Sequence, residues 1–244
     1  MTIILLPVYN EEENIGKLLE RFEALKFFKN GLKIVLVNDG SKDRSKDVIE
    51  TFALRLPILL VNHPVNKGVT EAIKTGLNEV SKFLKDDDLV ITMDSDNTHD
   101  PASIINVMDK FDEGYDIING SRYCKGGSMV GVPLYRLFFS YSCKFLLTRV
   151  FPIDGILDYS IFYRGYRGRL IRKAIELYGD NLFQTKGFVG IPELLIKMSR
   201  LGGRTIEIPL VVRYDIKLGG SKMKVANTVK HYLDMIWLLK RQKL

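Results

Sequence analysis

The chain has 244 residues, 46% of them hydrophobic, which suits one good-sized core with or without a small appendage. It carries 36 Lys and Arg against 29 Asp and Glu, a formal charge of +7. That surplus favours an anionic partner, whether nucleic acid, membrane surface or phosphorylated ligand, and composition alone does not choose among them. Cys124 and Cys143 stand in no metal or redox spacing, the pattern of reduced thiols in a cytosolic protein.

The first element, TIILLP at 2–7, is a short β-rich run, too brief for a signal peptide. After Asn10, a candidate N-cap, Ile15, Leu18, Leu19, Phe22 and Leu25 share one helical face. KIVLV at 33–37 and PILLV at 57–61 are the next strands, with NDGSKD between them offering Ser41 or Asp43 to start a helix. Val69, Ala72, Ile73, Gly76, Leu77 and Val80 form a second helical stripe, then LVITM (89–93) and YDIIN (115–119) complete five strands. Continuous apolar strands alternating with amphipathic helices predict an α/β fold with a mostly parallel sheet covered on both faces.

The greasy segment 133–151 contains Arg136, Lys144 and Arg149, too many charges for a spanning helix, so a soluble chain is expected. The last segment, 225–244, gathers Val225, Val229, Leu233, Ile236, Trp237 and Lys240 near one face. It reads either as a helix packed on the core or as an interfacial helix touching a membrane. The segment 133–151 is a second candidate surface.

In open parallel sheets ligands bind at the carboxyl ends of the strands. The residues that follow the five strands are PVYNEEEN, NDGSKD, NHPVNKG, DSDNTHD and GSRY, which would bring Glu11, Asp39, Asp94 and Asp96 to one rim. Carboxylates so placed repel unless a cation joins them. Hard divalent ions prefer oxygen donors and commonly take only one or two carboxylates from protein. Asp94-Ser95-Asp96 alone reads equally well as a solvated Asx turn; its place beside the other acidic loops favours the cation. A response-regulator-like acidic pocket leaves the long second half without a place. A dinucleotide-binding fold would need a Gly-rich turn where PVYNEEEN stands.

PVYNEEENI, VNDGSKD, NKG, DSDNTHDP and GSRY, in that order, resemble the family-two glycosyltransferases, and RYDIKLGGSKM at 213–223 resembles a later motif of their dolichyl- and polyprenyl-phosphate hexose (mannose) synthases. The resemblance implies an A-type glycosyltransferase fold, α/β with a mostly parallel Rossmann-like sheet, as a single domain over 1–244. Residues 1–125 would form its nucleotide-sugar half and 126–244 its acceptor half with the C-terminal helix. By the same resemblance Pro7, Tyr9, Glu11, Val37, Asp39 and Lys67 would hold the nucleoside. Asp94, Ser95 and Asp96 would hold the diphosphate through Mg2+ or Mn2+ on Asp94 and Asp96. Arg122, Arg136 and Ser140 would bind the acceptor phosphate, while Arg213 and Lys222 would close over the donor phosphates. Arg136, Ser140 and Lys144 also fall at four-residue steps, so one helix face offers two cations and a hydroxyl, or a snorkelling basic stripe.

The implied reaction moves a hexose, of the GDP-mannose or UDP-glucose type, to a polyprenyl phosphate with inversion. Relatives that glycosylate hydroxyls take a general base from a Glu-Asp dipeptide; this sequence has none, and Glu193 stands roughly in its place. A phosphate acceptor is already anionic and needs no base. His99, alone in its polar loop, reads as a hydrogen-bonding or capping residue, and His63 and His231 complete no cluster. Two positions depart from the family pattern: Thr98 replaces Gln or Ser, and Phe162 replaces a glycine near the acceptor or sugar pocket. The expected partners are a nucleoside-diphosphate sugar and a lipid phosphate, with no nucleic acid, in the cytoplasm or peripheral at the cytoplasmic membrane face. The rival readings are a soluble transferase acting on a sugar or protein hydroxyl and a non-catalytic sugar-nucleotide-binding subunit.

Overall fold

The computed structural model describes residues 1–25, 31–218 and 225–242. The first half runs β1 (Thr2–Val8), α1 (Glu12–Ala24), β2 (Leu32–Asn38), α2 (Ser45–Ala53), β3 (Ile58–Asn62), α3 (Val69–Ser81), β4 (Leu89–Thr92), α4 (Ile104–Asp112) and β5 (Ile117–Ser121). The second half adds β6 (Ser128–Val130), α5 (Leu134–Val150), β7 (Arg164–Arg167), α6 (Gly168–Tyr178), α7 (Gly190–Arg200), β8 (Thr205–Pro209), β9 (Val211–Arg213) and α8 (Val225–Arg241). The five predicted strands are all present. They join β7 and β8 in a seven-stranded sheet of order β3-β2-β1-β4-β7-β5-β8, while β6 and β9 pair separately.

Strand pairing is parallel except at β7, which lies antiparallel between β4 and β5. That insertion was not foreseen, because RGYR has no apolar run. Arg164 is nevertheless buried there, donating to Asn119 Oδ1 and to the carbonyls of Ile191 and Tyr159. Buried cations survive in a core when each donor finds an acceptor.

Strand side chains alternate between faces, so β1 feeds two cores. Ile3 and Leu5 join Val35, Val37 and Val90 under α3, α6, α7 and the buried side of α8. Ile4, Leu6 and Val8 join Ile34, Leu36 and Ile91 under α1, α2 and α4. α8 is anchored by Met235 and Leu239, both fully buried, but exposes Val229, Leu233 and Trp237. α5 is less segregated: Leu147 is fully buried, whereas Leu134, Phe138 and Phe145 are each more than 60% exposed. No helix among the described residues is long and apolar enough to cross a membrane.

The join of β7 to α6 passes tight against the loop before β4. A Cβ on Gly168 would lie 2.0 Å from the Lys85 carbonyl oxygen, which is backbone and cannot swing away. Gly168→Ala should therefore cost about 1–3 kcal/mol, a fall of several degrees in Tm. A melt superimposable on the parent's would show that this contact is not tight.

Candidate active site

β1, β2 and β4 end side by side on one edge of the sheet. Each is followed within a few residues by left-handed backbone: Asn10 (φ 52°), Gly40 (φ 67°) and Asn97 (φ 62°). Gly and Asn are the residues that reach this region most readily. At Gly40 the need is also steric, since a Cβ would come within 2.5 Å of the Val65–Asn66 backbone.

The first two loops are stitched together. Asn10 N donates to Ser41 Oγ (3.0 Å), Glu11 N to Ser45 Oγ (2.8 Å) and Glu12 N to Asp43 Oδ2 (3.0 Å). The N-cap of α1 is therefore Glu11, not Asn10, and its orphan donors are satisfied from the neighbouring loop. α2 likewise starts at Ser45, with Asp43 accepting from Ser45 N and Oγ.

Asp39 is buried in a cage of donors. Its carboxylate accepts from Lys67 N (2.9 Å) and Gly68 N (2.8 Å), and His63 Nδ1 lies 2.7 Å away with Nε2 on Thr75 Oγ1. His63 completes no cluster of the metal-binding kind among the described residues, but it pairs with Asp39, 24 residues back in sequence. Lys67 serves Asp39 through its backbone while its side chain is exposed. Pro7 and Tyr9 are half-buried at the rim. Val37 does not fit the expected contact with a nucleoside, because strand alternation turns its side chain into the core under α3.

Ser95 Oγ donates to the Pro7 carbonyl (2.7 Å), tying the end of β4 to β1 between the two carboxylates. Asp96 is the better compensated of the pair. Its Oδ1 accepts from Thr98 Oγ1 (2.6 Å) and Thr98 N (3.2 Å), and its Oδ2 from Lys217 Nζ (2.6 Å). Burial opposes the Asp96 charge, but Lys217, with help from Thr98, holds the carboxyl below the usual range. Asp94 has no such hydrogen bond among the described residues: burial and then the Asp96 charge push it up to about 7. His99 is buried with Nε2 3.8 Å from Asp94 Oδ2, edge-on to Tyr163, and burial pushes its imidazole down to about 4. Glu11 also acts electrostatically on Asp94 and Lys217.

No three His, Cys, Asp or Glu side chains form a metal cage among the described residues. The Asp94/Asp96 pair still fits a hard divalent ion. It offers oxygen donors only, and Asp94 is one-third exposed, within reach of an arriving ion.

A cavity of about 440 Å³ opens from this pair between α5 and α8. Its lining includes the polar Asp94, Asp96, Arg122, Arg136, Ser140 and Lys217 and the apolar Phe138, Phe139, Phe162, Phe188 and Leu233. Arg136 and Ser140 line the cavity from one helix face, Arg122 lines it too, and Lys144, the third residue of that spacing, turns to the Tyr123 ring. Arg122 is clamped bidentately by Asp158 (2.7 Å on each arm) and reaches Ser160 (2.6 Å). Arg213 does not join the set: its guanidinium pairs with Asp215, half-exposed, because the backbone at 214–216 turns back on itself. Lys217, four residues on, takes the place at the carboxylates; Lys222 lies outside the described residues.

Comparison with known proteins places these observations. Residues 3–175 match the sequence profile described as Glycosyl transferase family 2. The chain is 28% identical over 238 residues to a dolichol-phosphate mannosyltransferase of Pyrococcus furiosus, covering 97% of this chain and 62% of that protein. It is 30% identical over 241 residues to an undecaprenyl-phosphate 4-deoxy-4-formamido-L-arabinose transferase of Edwardsiella ictaluri, covering 97% and 67%. It thus spans about two thirds of the length of these relatives. Among solved structures, glucosyl-3-phosphoglycerate synthase of Mycobacterium tuberculosis, with Mn2+, UDP-glucose and phosphoglyceric acid, superposes with a TM-score of 0.70 at 18% identity, covering 99% of this chain and 79% of that one. S. aureus TarS 1-349 with UDP-GlcNAc gives 0.68 at 17% identity, covering 100% and 67%. The fold is that of A-type glycosyltransferases.

Glu193, which the sequence places where a base would stand, is not at the cavity. It is buried at the start of α7, paired with Lys197 (2.6 Å) and accepting from Gln184 N, Thr185 N and Thr185 Oγ1. Its work is to pin the segment before α7. Removing one partner of a buried ion pair strands the other charge. Lys197→Ala should lower unfolding stability by about 3–5 kcal/mol in urea titrations; a loss under about 1 kcal/mol would mean the pair is solvated.

Proposed function

The chain belongs to glycosyl transferase family 2, and on that premise we propose that it transfers a hexose from a nucleoside-diphosphate sugar to a polyprenyl phosphate. The observation that carries this reading is the mixed lining of the cavity. Two cationic side chains and a hydroxyl, Arg122, Arg136 and Ser140, line it together with the carboxylate pair and with aromatic and aliphatic side chains. An acceptor with an anionic head and an apolar body matches both kinds of lining. The curated relatives named for dolichol phosphate and undecaprenyl phosphate support the same acceptor class.

In this reading Asp39 and its donor cage, with Tyr9 and Glu11, shape the nucleoside end. Asp94 and Asp96 would hold Mg2+ or Mn2+, which supplies charge neutralisation to the departing diphosphate. Arg122, fixed by Asp158, and Arg136 orient the acceptor phosphate, one of whose oxygens forms the new bond to the anomeric carbon from the face opposite the leaving group. The bond to the diphosphate breaks with its electron pair, and the configuration inverts. No proton need be removed, which agrees with a cavity whose acidic residues, among those described, are Asp94 and Asp96 alone. Phe162 forms part of the wall and narrows the space near the acceptor head.

The purified chain, given radiolabelled GDP- or UDP-hexose, Mn2+ and a short polyprenyl phosphate, should form a product that partitions into organic solvent. Asp96→Ala should abolish it. Arg136→Ala should raise the acceptor KM about ten-fold with donor affinity unchanged, the mark of a lost ground-state contact. Products confined to the aqueous phase would refute the lipid acceptor.

The exposed apolar residues of α5 and α8 flank the mouth of this cavity, and Arg241 stacks on Trp237 at 3.8 Å. Apolar stripes beside basic groups suit an interfacial position on an anionic bilayer. Phe138→Glu with Leu233→Glu should then weaken binding to phosphatidylglycerol vesicles at least about five-fold, with the melting temperature unchanged. Equal sedimentation of variant and parent with vesicles would remove the membrane from this account.

A further inference from the structure

We propose that Lys217 is a tethered cation that occupies the Asp94/Asp96 pair in the ligand-free chain and that a divalent ion must displace it to bind. The inference rests on reading the pair as a metal site, and it concerns a residue that lies outside the matched family profile.

The geometry assigns Lys217 this role because of which oxygen it holds. Asp96 Oδ1 already accepts two hydrogen bonds from Thr98. Oδ2 is the oxygen left for a metal, and Lys217 Nζ sits on it at 2.6 Å. Both side chains are less than one-fifth exposed, so water screens the contact poorly. A divalent ion of this kind binds oxygen at about 2 Å. With the ammonium on the same oxygen the two cations would stand in contact, with no water layer between them.

The backbone around Lys217 makes the exchange possible without unfolding the loop. Residues 213–218 are fastened on both sides of the lysine. Arg213 N donates to the Thr98 carbonyl (3.0 Å). Leu218 is held by both ends of the Asn14 side-chain amide, N to Oδ1 at 3.1 Å and O from Nδ2 at 3.0 Å. Asn14 is buried and also donates to Glu11 Oε2 (2.7 Å). Only the lysine stem has to move, and four flexible methylenes carrying a compact charge suit that motion better than a planar guanidinium clamp.

Mn2+ affinity, measured without nucleotide from the free-ion EPR signal, reads the competition directly. Lys217→Met and Lys217→Gln should bind Mn2+ about ten-fold tighter or more, because the closed state no longer taxes binding. Lys217→Arg keeps the charge on a guanidinium that moves away less readily and should bind Mn2+ no tighter than the parent. Lys217→Gln keeps a polar head for the case in which Lys217→Met fails to fold, and thermal melts establish which variants are native. Asp96→Asn should abolish binding in every background. If Asp96→Asn abolishes it but both neutral variants bind no tighter than the parent, Lys217 does not compete and the proposal is overturned with the metal site intact. If Asp96→Asn changes nothing, or no variant binds Mn2+, the metal site itself is wrong and the proposal goes with it.

Discussion

Two carboxylates separated by one residue, just past the end of a strand, set the terms for this structure. Asp94 and Asp96 leave β4 on the edge where β1 and β2 also end. Their mutual repulsion has to be offset locally, and the protein does so unevenly. Asp96 receives Thr98 and Lys217, while Asp94 is left with a carboxyl raised to about 7. The imbalance is informative because a purely structural cluster could have been neutralised by a second lysine or by further backbone donors, as Asp39 is. The surrounding loops serve to keep this unfavourable arrangement in place. Ser95 bonds β4 to β1, and Ser41, Asp43 and Ser45 lash the second loop to the first.

Burial of positive charge follows the opposite rule in the second half. Arg164, Lys197 and Arg122 are all deep in the protein, and each is paired: Arg164 with Asn119 and carbonyls, Lys197 with Glu193 and carbonyls, Arg122 with Asp158 and Ser160. Desolvating a guanidinium or an ammonium is tolerable only on those terms. Arg136 differs. It lies on α5 at the cavity wall, and its Nε contact is the hydroxyl of adjacent Tyr135, not a carboxylate. An arginine that has no acidic partner among the described residues and lines the cavity can bring its charge to bear on an arriving anion.

Much of this was legible in the sequence because it depends on local pattern. Apolar runs marked the five strands, and alternation with amphipathic stripes implied parallel pairing. The acidic and basic residues immediately after those runs therefore fell at one rim, and Arg136 and Ser140 fell on one helical face. What was not legible depends on contacts distant in sequence. Lys217 meets Asp96 across 121 residues, and the motif around it drew attention to Arg213 and Lys222 instead. β7 was hidden because a strand carrying a buried arginine has no hydrophobic signature. Val37 was misassigned for a simpler reason: a residue one place removed along a strand faces the other side of the sheet.

The arrangement also accounts for each group that could have served as a general base. His63 is committed to Asp39 and Thr75, and Glu193 to Lys197 and Thr185. His99 lies near the reacting end, but burial holds its imidazole near 4, far too weak to take a proton from a hydroxyl at neutral pH. Asp94, with its carboxyl near 7, would have the basicity. That basicity arises from burial and from the neighbouring Asp96 charge, and a cation that joins the pair lowers it. The site can therefore be poised to bind a cation or to abstract a proton, and it cannot do both at once. An acceptor that arrives already ionised is the one chemistry that never demands the second.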